Sequence, residues 1–121
     1  MTILNTAIIG GGAIHRCHVN ALRQIPNVEL RALVDIDSVK GLKLAMGYQC
    51  RFYQDYREML LDDSIDVVHI CTPHFEHKNM ILAALAAGKH VFCEKPVGMN
   101  GSELVDIARA VEQAKGQFGV C

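Results

Sequence analysis

The chain has 121 residues, half of them apolar, with twelve basic and thirteen acidic side chains for a net charge of -1. That length fits one domain, able to bury roughly two thirds of its unfolded surface. No run of one charge sign suggests a nucleic-acid stripe, and no apolar run nears the roughly 20 residues of a membrane helix or forms a secretory leader, so the expectation is a soluble, cytoplasmic protein with neither partner.

Ile3 to Ile9 reads as an apolar strand that runs into Gly10-Gly11-Gly12-Ala13-Ile14. Glycines at a strand-to-helix junction present bare backbone N–H groups, and the helix N-terminus adds partial positive charge, a combination suited to phosphate. Gly10 and Gly12 fit the first two positions of a G-x-G-x-x-G turn, while His15 stands where Gly or Ala would pack against the strand. His15 either narrows the fit between helix and strand or swings outward toward the phosphates. The helix that follows carries Ile14, Cys17, Ala21, Leu22 and Ile25 on one face, expected to pack on the sheet, and Pro26 stops it. His18 falls on the same buried side, where packing is its simplest role.

Val28 to Val34 is the second strand, closed by Asp35, 23 residues beyond Gly12. An acid there accepts hydrogen bonds from an adenosine ribose, repels a 2′-phosphate, and has no arginine immediately after it, so NAD is favoured over NADP. Capping the next helix is the alternative role, for which Asp37 or Ser38 is better placed. That helix runs to about Met46, with Gly47 supplying the left-handed terminator, and Gly41 inside it costs about 1 kcal/mol relative to alanine. A short strand at Cys50 to Tyr53 and a short helix marked by Tyr56, Met59 and Leu60 follow.

The fourth strand, Asp66 to Cys71, contains His69, read as a satisfied core histidine, and opens into Thr72-Pro73-His74-Phe75-Glu76-His77. His74 and His77 lack a third ligand, so no metal site is expected. An alanine-rich helix from about His77 to Ala87 closes at Gly88, and the strand His90 to Cys93 runs directly into Glu94-Lys95-Pro96. Lys95 at a crevice rim can orient a hydroxyl and stabilise negative charge on oxygen; a surface Glu-Lys pair is the plainer reading. Pro96 restricts Lys95 to extended backbone and makes their bond a candidate for the cis form. A last helix from near Asn100 is expected to bury Leu104, Ile107, Ala108 and Val111. Phe118 to Cys121 reads as an unfinished strand, the mark of a fragment of a longer protein. Five cysteines, odd in number and widely spaced, read as reduced and mostly buried thiols.

Apolar runs alternating with helical segments specify an α/β fold: a Rossmann-type, doubly wound, mostly parallel sheet with helices on both faces, residues 1–121 forming a single dinucleotide-binding domain. Ligands bind such sheets outside the carboxyl ends of the strands, so the glycine turn, the Thr72 loop and Lys95 should share one edge.

Gly10-Gly11-Gly12-Ala13-Ile14 with His18, Thr72-Pro73-His74 with His77, Ala87-Gly88-Lys89-His90-Val91 and above all Glu94-Lys95-Pro96 resemble the N-terminal half of the Gfo/Idh/MocA oxidoreductases. The resemblance implies hydride transfer between a nicotinamide cofactor and a sugar, polyol or related hydroxy compound. It assigns Gly10, Gly12, Ala13 and Ile14 to the pyrophosphate and Asp35 to the adenosine ribose. Thr72, Pro73, His74 and His77 would lie along the nicotinamide side, Glu94 and Pro96 beside the cofactor, and Lys95 would be the catalytic lysine. His74 stands where the family often has Asn. The family's second domain, which supplies substrate contacts and often the base, lies outside these residues, and its sheet implies a homo-oligomer at full length. Two other functions compete: a non-catalytic nicotinamide-binding or sensing module, and a methyltransferase using S-adenosylmethionine, in which Glu94-Lys95-Pro96 has no role.

Overall fold

Short apolar strands separated by helix-forming stretches satisfy their backbone groups most simply by parallel pairing with helical crossovers. The computed structural model describes residues 2–121. In it β1 (Leu4–Ile9), β2 (Val28–Val34), β3 (Arg51–Tyr53), β4 (Val67–Ile70), β5 (His90–Cys93) and β6 (Phe118–Val120) form one sheet in the order β3-β2-β1-β4-β5-β6. Every pairing is parallel. The crossovers contain α1 (His15–Arg23), α2 (Ser38–Tyr48), α3 (Tyr56–Leu60), α4 (His77–Ala86) and α5 (Gly101–Gln113). Strand bounds agree with the sequence reading to within one residue at either end. The winding reverses at β1, where β2 lies on one side and β4 on the other, creating the switch-point crevice of doubly wound sheets. No helix among the described residues is long and apolar enough to cross a membrane.

Period-two alternation divides the core. Ala7, Ile9, Ala32, Val34, Val68, Ile70, Val91 and Cys93 meet Met59, Met80, Ile81, Ala84, Leu85 and Ile107 from α3, α4 and α5. The intervening Ile8 and Leu33 meet Val19 and Leu22 of α1 and Ala45 of α2. Farther along this second face β4 and β5 present His69 and Phe92, which with Val67, Ile14, Cys17 and Ile25 line an open groove of about 580 Å³.

That groove corrects the expected α1 face. His15, His18, Val19 and Leu22 are the buried residues of α1, whereas Ile14 and Ile25 are 40% and 49% exposed. Cys17 and Ala21 are also exposed. The helix is rolled so that two histidines reach polar partners beneath it, leaving part of the apolar stripe at the groove. α2 continues past Gly47 and ends at Gln49, whose φ of 58° supplies the left-handed turn. The two extra residues carry Tyr48 to His15. Asp37 caps α2 through the Lys40 N–H, as expected. Gly41 is required there because a side chain would overlap the Phe52 ring and crowd Asp35. α5 buries Ile107, half-buries Val111 and leaves Leu104 and Ala108 exposed, since it lies in the outer layer against α4. The cysteines are free but not mostly buried: Cys71 and Cys93 are, Cys50 is intermediate, and Cys17 and Cys121 are exposed.

Candidate functional site

The carboxyl ends of β1, β2, β4 and β5 deliver four loops to one edge. At the first, Gly10 adopts φ +102°, and a Cβ there would sit 2.8 Å from the Cys71 carbonyl oxygen. Only glycine lets β1 turn this close to β4. The Gly10 N–H donates to Val34 O (2.7 Å) and the Gly11 N–H to Asp35 Oδ2 (3.0 Å). The N–H groups of Gly12, Ala13 and Ile14 have no protein acceptor among the described residues. Nothing lies within 4 Å of where a Gly12 Cβ would project. Free donors beside open space at a helix N-terminus fit a pyrophosphate.

His15 has turned inward. It is 2% exposed, with Nδ1 at the Gly12 carbonyl and Nε2 2.8 Å from the Tyr48 hydroxyl. Nδ1–H therefore donates to the carbonyl and Nε2 accepts from tyrosine, a tautomer that braces the glycine turn from below. The third fingerprint position is filled by a hydrogen-bonded ring, so the turn tolerates its loss of glycine.

Asp35 is 7% exposed and accepts from two backbone donors, Gly11 N–H and, at Oδ1, Asp37 N–H (2.9 Å). It thus couples the glycine turn to the start of α2 while its carboxylate borders the crevice. Sequence reasoning missed the neighbouring cation. One helical turn into α2, the Lys40 ammonium lies 3.3 Å from Asp35 Oδ2 and offsets part of its charge. No basic residue follows Asp35 immediately in sequence, but the first turn of α2 brings Lys40 back to its carboxylate.

After β4, Thr72 is half-buried and its hydroxyl donates to Met80 Sδ (3.3 Å), while Pro73 and His74 are exposed. His77, expected on the nicotinamide side, is 0% exposed, with Nδ1 2.7 Å from Pro96 O and Nε2 2.9 Å from Thr72 O. Both ring nitrogens are committed to protein carbonyls.

After β5, Glu94 is 17% exposed and accepts at Oε2 from His18 Nε2 (3.0 Å). His18 Nδ1 in turn lies 2.9 Å from His69 Nδ1. Burial, reinforced by the charge of His18, pushes the His69 imidazole down to about 4. Burial raises the Glu94 carboxyl, but hydrogen bonds from Cys121 and His18 and the charges of His18 and Lys95 hold it below its ordinary value. Lys95 is exposed, makes no ion pair among the described residues, and is joined to Pro96 by a cis peptide bond. Among the described residues no group of three His, Cys, Asp or Glu side chains is placed to hold a metal.

Sequence comparison agrees with this geometry. Residues 4–121 match the family model described as "Oxidoreductase family, NAD-binding Rossmann fold", that of Gfo/Idh/MocA. The chain is 38% identical over 109 residues to the uncharacterized oxidoreductase YrbE of Bacillus subtilis, covering 89% of this chain and 32% of that protein. It is 32% identical over 114 residues to myo-inositol 2-dehydrogenase of Thermotoga maritima, covering 93% and 33%. The crystal structure of the WlbA dehydrogenase from Chromobacterium violaceum, in complex with NADH and UDP-GlcNAcA, superimposes with a TM-score of 0.94 at 25% identity, over 100% of this chain and 35% of that one. The chain spans about a third of the length of these relatives. It belongs to the Gfo/Idh/MocA oxidoreductase family and forms an NAD-binding Rossmann domain.

Proposed function

We propose that the chain is the cofactor-binding third of a dehydrogenase that exchanges hydride between NAD and a sugar, polyol or related hydroxy compound. The observation that carries this is the gathering of the Gly10–Ile14 turn, Asp35, the Thr72 loop and Glu94-Lys95-Pro96 at the carboxyl edge of one parallel sheet. Gly12, Ala13 and Ile14 would bind the pyrophosphate through backbone N–H groups, and Asp35 would accept from the adenosine ribose. Thr72, Pro73 and His74 would border the nicotinamide side, with Glu94 and Pro96 beside it. A bound nicotinamide supplies the hydride acceptor or donor.

Lys95 would contribute the chemistry of this chain. Its ammonium would donate to the reacting substrate oxygen and stabilise the charge that develops as the hydroxyl proton leaves for a base. The relatives' names support a polyol or sugar-like substrate, since they include an inositol dehydrogenase and one crystallised with a nucleotide sugar. Substrate selection, the base and self-association are assigned to a further domain of a longer protein.

Calorimetric titration of the chain with NADH, NADPH and S-adenosylmethionine tests the reading. Saturable binding of NADH is expected; binding of S-adenosylmethionine alone would refute it. Addition of myo-inositol and NAD to this chain alone should give no NADH, and appreciable turnover would contradict the need for a second domain.

A further inference from the structure

Two buried histidines bracket Glu94-Lys95-Pro96. On one side His18 of α1, 5% exposed, meets Glu94 Oε2 at 3.0 Å. On the other His77, at the start of α4 and 0% exposed, meets the Pro96 carbonyl at 2.7 Å. Lys95 lies between these two anchored residues and is itself exposed. We infer that His18 and His77 are positioning residues that clamp the Glu94-Lys95-Pro96 turn from opposite sides and so fix the place and direction from which the Lys95 side chain leaves the backbone.

The hydrogen-bonding chemistry supports a clamp on each side. A carboxylate only accepts, so His18 must present Nε2–H to Glu94. Its Nδ1 then accepts from or donates to His69 Nδ1, and His69, 9% exposed and neutral above about pH 4, can take either role by changing tautomer. Glu94 therefore keeps its donor whichever protonation state His18 adopts. Phe92 flanks both rings, with centroids 5.8 Å from His18 and 5.4 Å from His69, restricting their rotation. On the other side both His77 partners are carbonyl oxygens, which also only accept. A ring N–H donated to either carbonyl holds His77 against it, and the ring thereby spans the Thr72 loop and the lysine turn.

This inference rests on Lys95 being the residue that contacts the reacting oxygen, but its test does not. Lysines of the chain would be reductively labelled with 13C-methyl groups, the Lys95 resonance being identified by its disappearance in Lys95→Arg. His77→Leu should displace that resonance from its native position as the turn shifts, whereas His77→Gln, whose amide can still donate to one carbonyl, should leave it close to native. A Lys95 signal that neither His77 variant moves, in proteins with native circular dichroism, would overturn the clamp. For His18, NADH affinity would be measured in a cycle of His18→Asn and Glu94→Ala. His18→Asn should weaken NADH about fivefold to tenfold in the native background and have no further effect once Glu94 is gone. Equal losses in both backgrounds would show that His18 does not act through Glu94. Failure of the native chain to bind NADH would refute the proposed function while leaving the lysine resonance to judge the clamp.

Discussion

Alanine at Gly12 and alanine at Gly10 should have opposite consequences, although the two residues are neighbours in one turn. At Gly12 a Cβ would meet nothing within 4 Å, and φ is not in the left-handed region. Gly12→Ala should therefore leave stability within about 0.5 kcal/mol of native, or raise it slightly by restricting the unfolded chain. The added methyl would occupy the space beside three free N–H groups, and NADH affinity should fall about 10–100-fold, roughly 1.4–2.8 kcal/mol. At Gly10, φ of +102° strains any side chain by about 1–2 kcal/mol, and the Cβ would also press on the Cys71 carbonyl oxygen at 2.8 Å. Relief of that contact adds about 1–2 kcal/mol, for a total near 3 kcal/mol. At roughly 4 °C per kcal/mol for a domain of this size, Tm should drop by about 12 °C. Circular dichroism melts and titration of NADH fluorescence measure both quantities. Native NADH affinity in Gly12→Ala, or a native Tm in Gly10→Ala, would refute the division of labour drawn from the turn.

Asp35→Ser should weaken NADH and narrow its advantage over NADPH, and Lys40→Ala should widen that advantage about twofold to fivefold by leaving the Asp35 carboxylate less neutralised; paired titrations decide, and an unchanged ratio in both variants counts against a ribose contact. Asp62 is held at about 2, first by the Ser64 hydroxyl, against a burial effect that raises it, and further by the Ser64 N–H, Tyr53 and Arg51. Because the folded value lies below the unfolded 3.8, its stabilisation is complete above about pH 4 and is lost as pH falls toward 2. After allowance for solvent screening this amounts to about 1–2 kcal/mol, so Asp62→Asn should melt earlier at pH 7 and show a flatter loss of stability with acid; parallel acid limbs would contradict it. Lys89, 5% exposed, donates to Asp62 O at 2.9 Å and Ile65 O at 2.8 Å. Lys89→Met preserves the stem but leaves both carbonyls without this donor, and should lower stability by about 2 kcal/mol, seen as a Tm decrease of roughly 8 °C; an unchanged melt would show that water replaces the ammonium at no cost.

The order of the elements and the edge on which the loops meet were legible in the sequence because both follow from local chemistry. Apolar runs such as Val28–Val34 and His90–Cys93 bound their strands correctly, glycines marked the first turn, and parallel crossovers put Asp35, Thr72 and Lys95 at the same ends. The family motif at Glu94-Lys95-Pro96 was equally local. Partnerships across the sheet were not legible, since hydrogen bonds between residues 76 or 51 positions apart leave no mark in composition or periodicity. His18 looked like a packing residue on the stripe of Ile14 and Cys17. Two inward-facing histidines, one on α1 and one on β4, were the available signal, but only the tertiary structure set them 2.9 Å apart with Glu94 beyond. The same holds for His15 beneath the glycine turn, for Lys40 beside Asp35 and for His77 between two carbonyls. A sequence specifies which groups need partners once water is excluded; packing of helices on the sheet decides which partners they find, because a buried polar group accepts only what the neighbouring backbone brings within hydrogen-bonding distance.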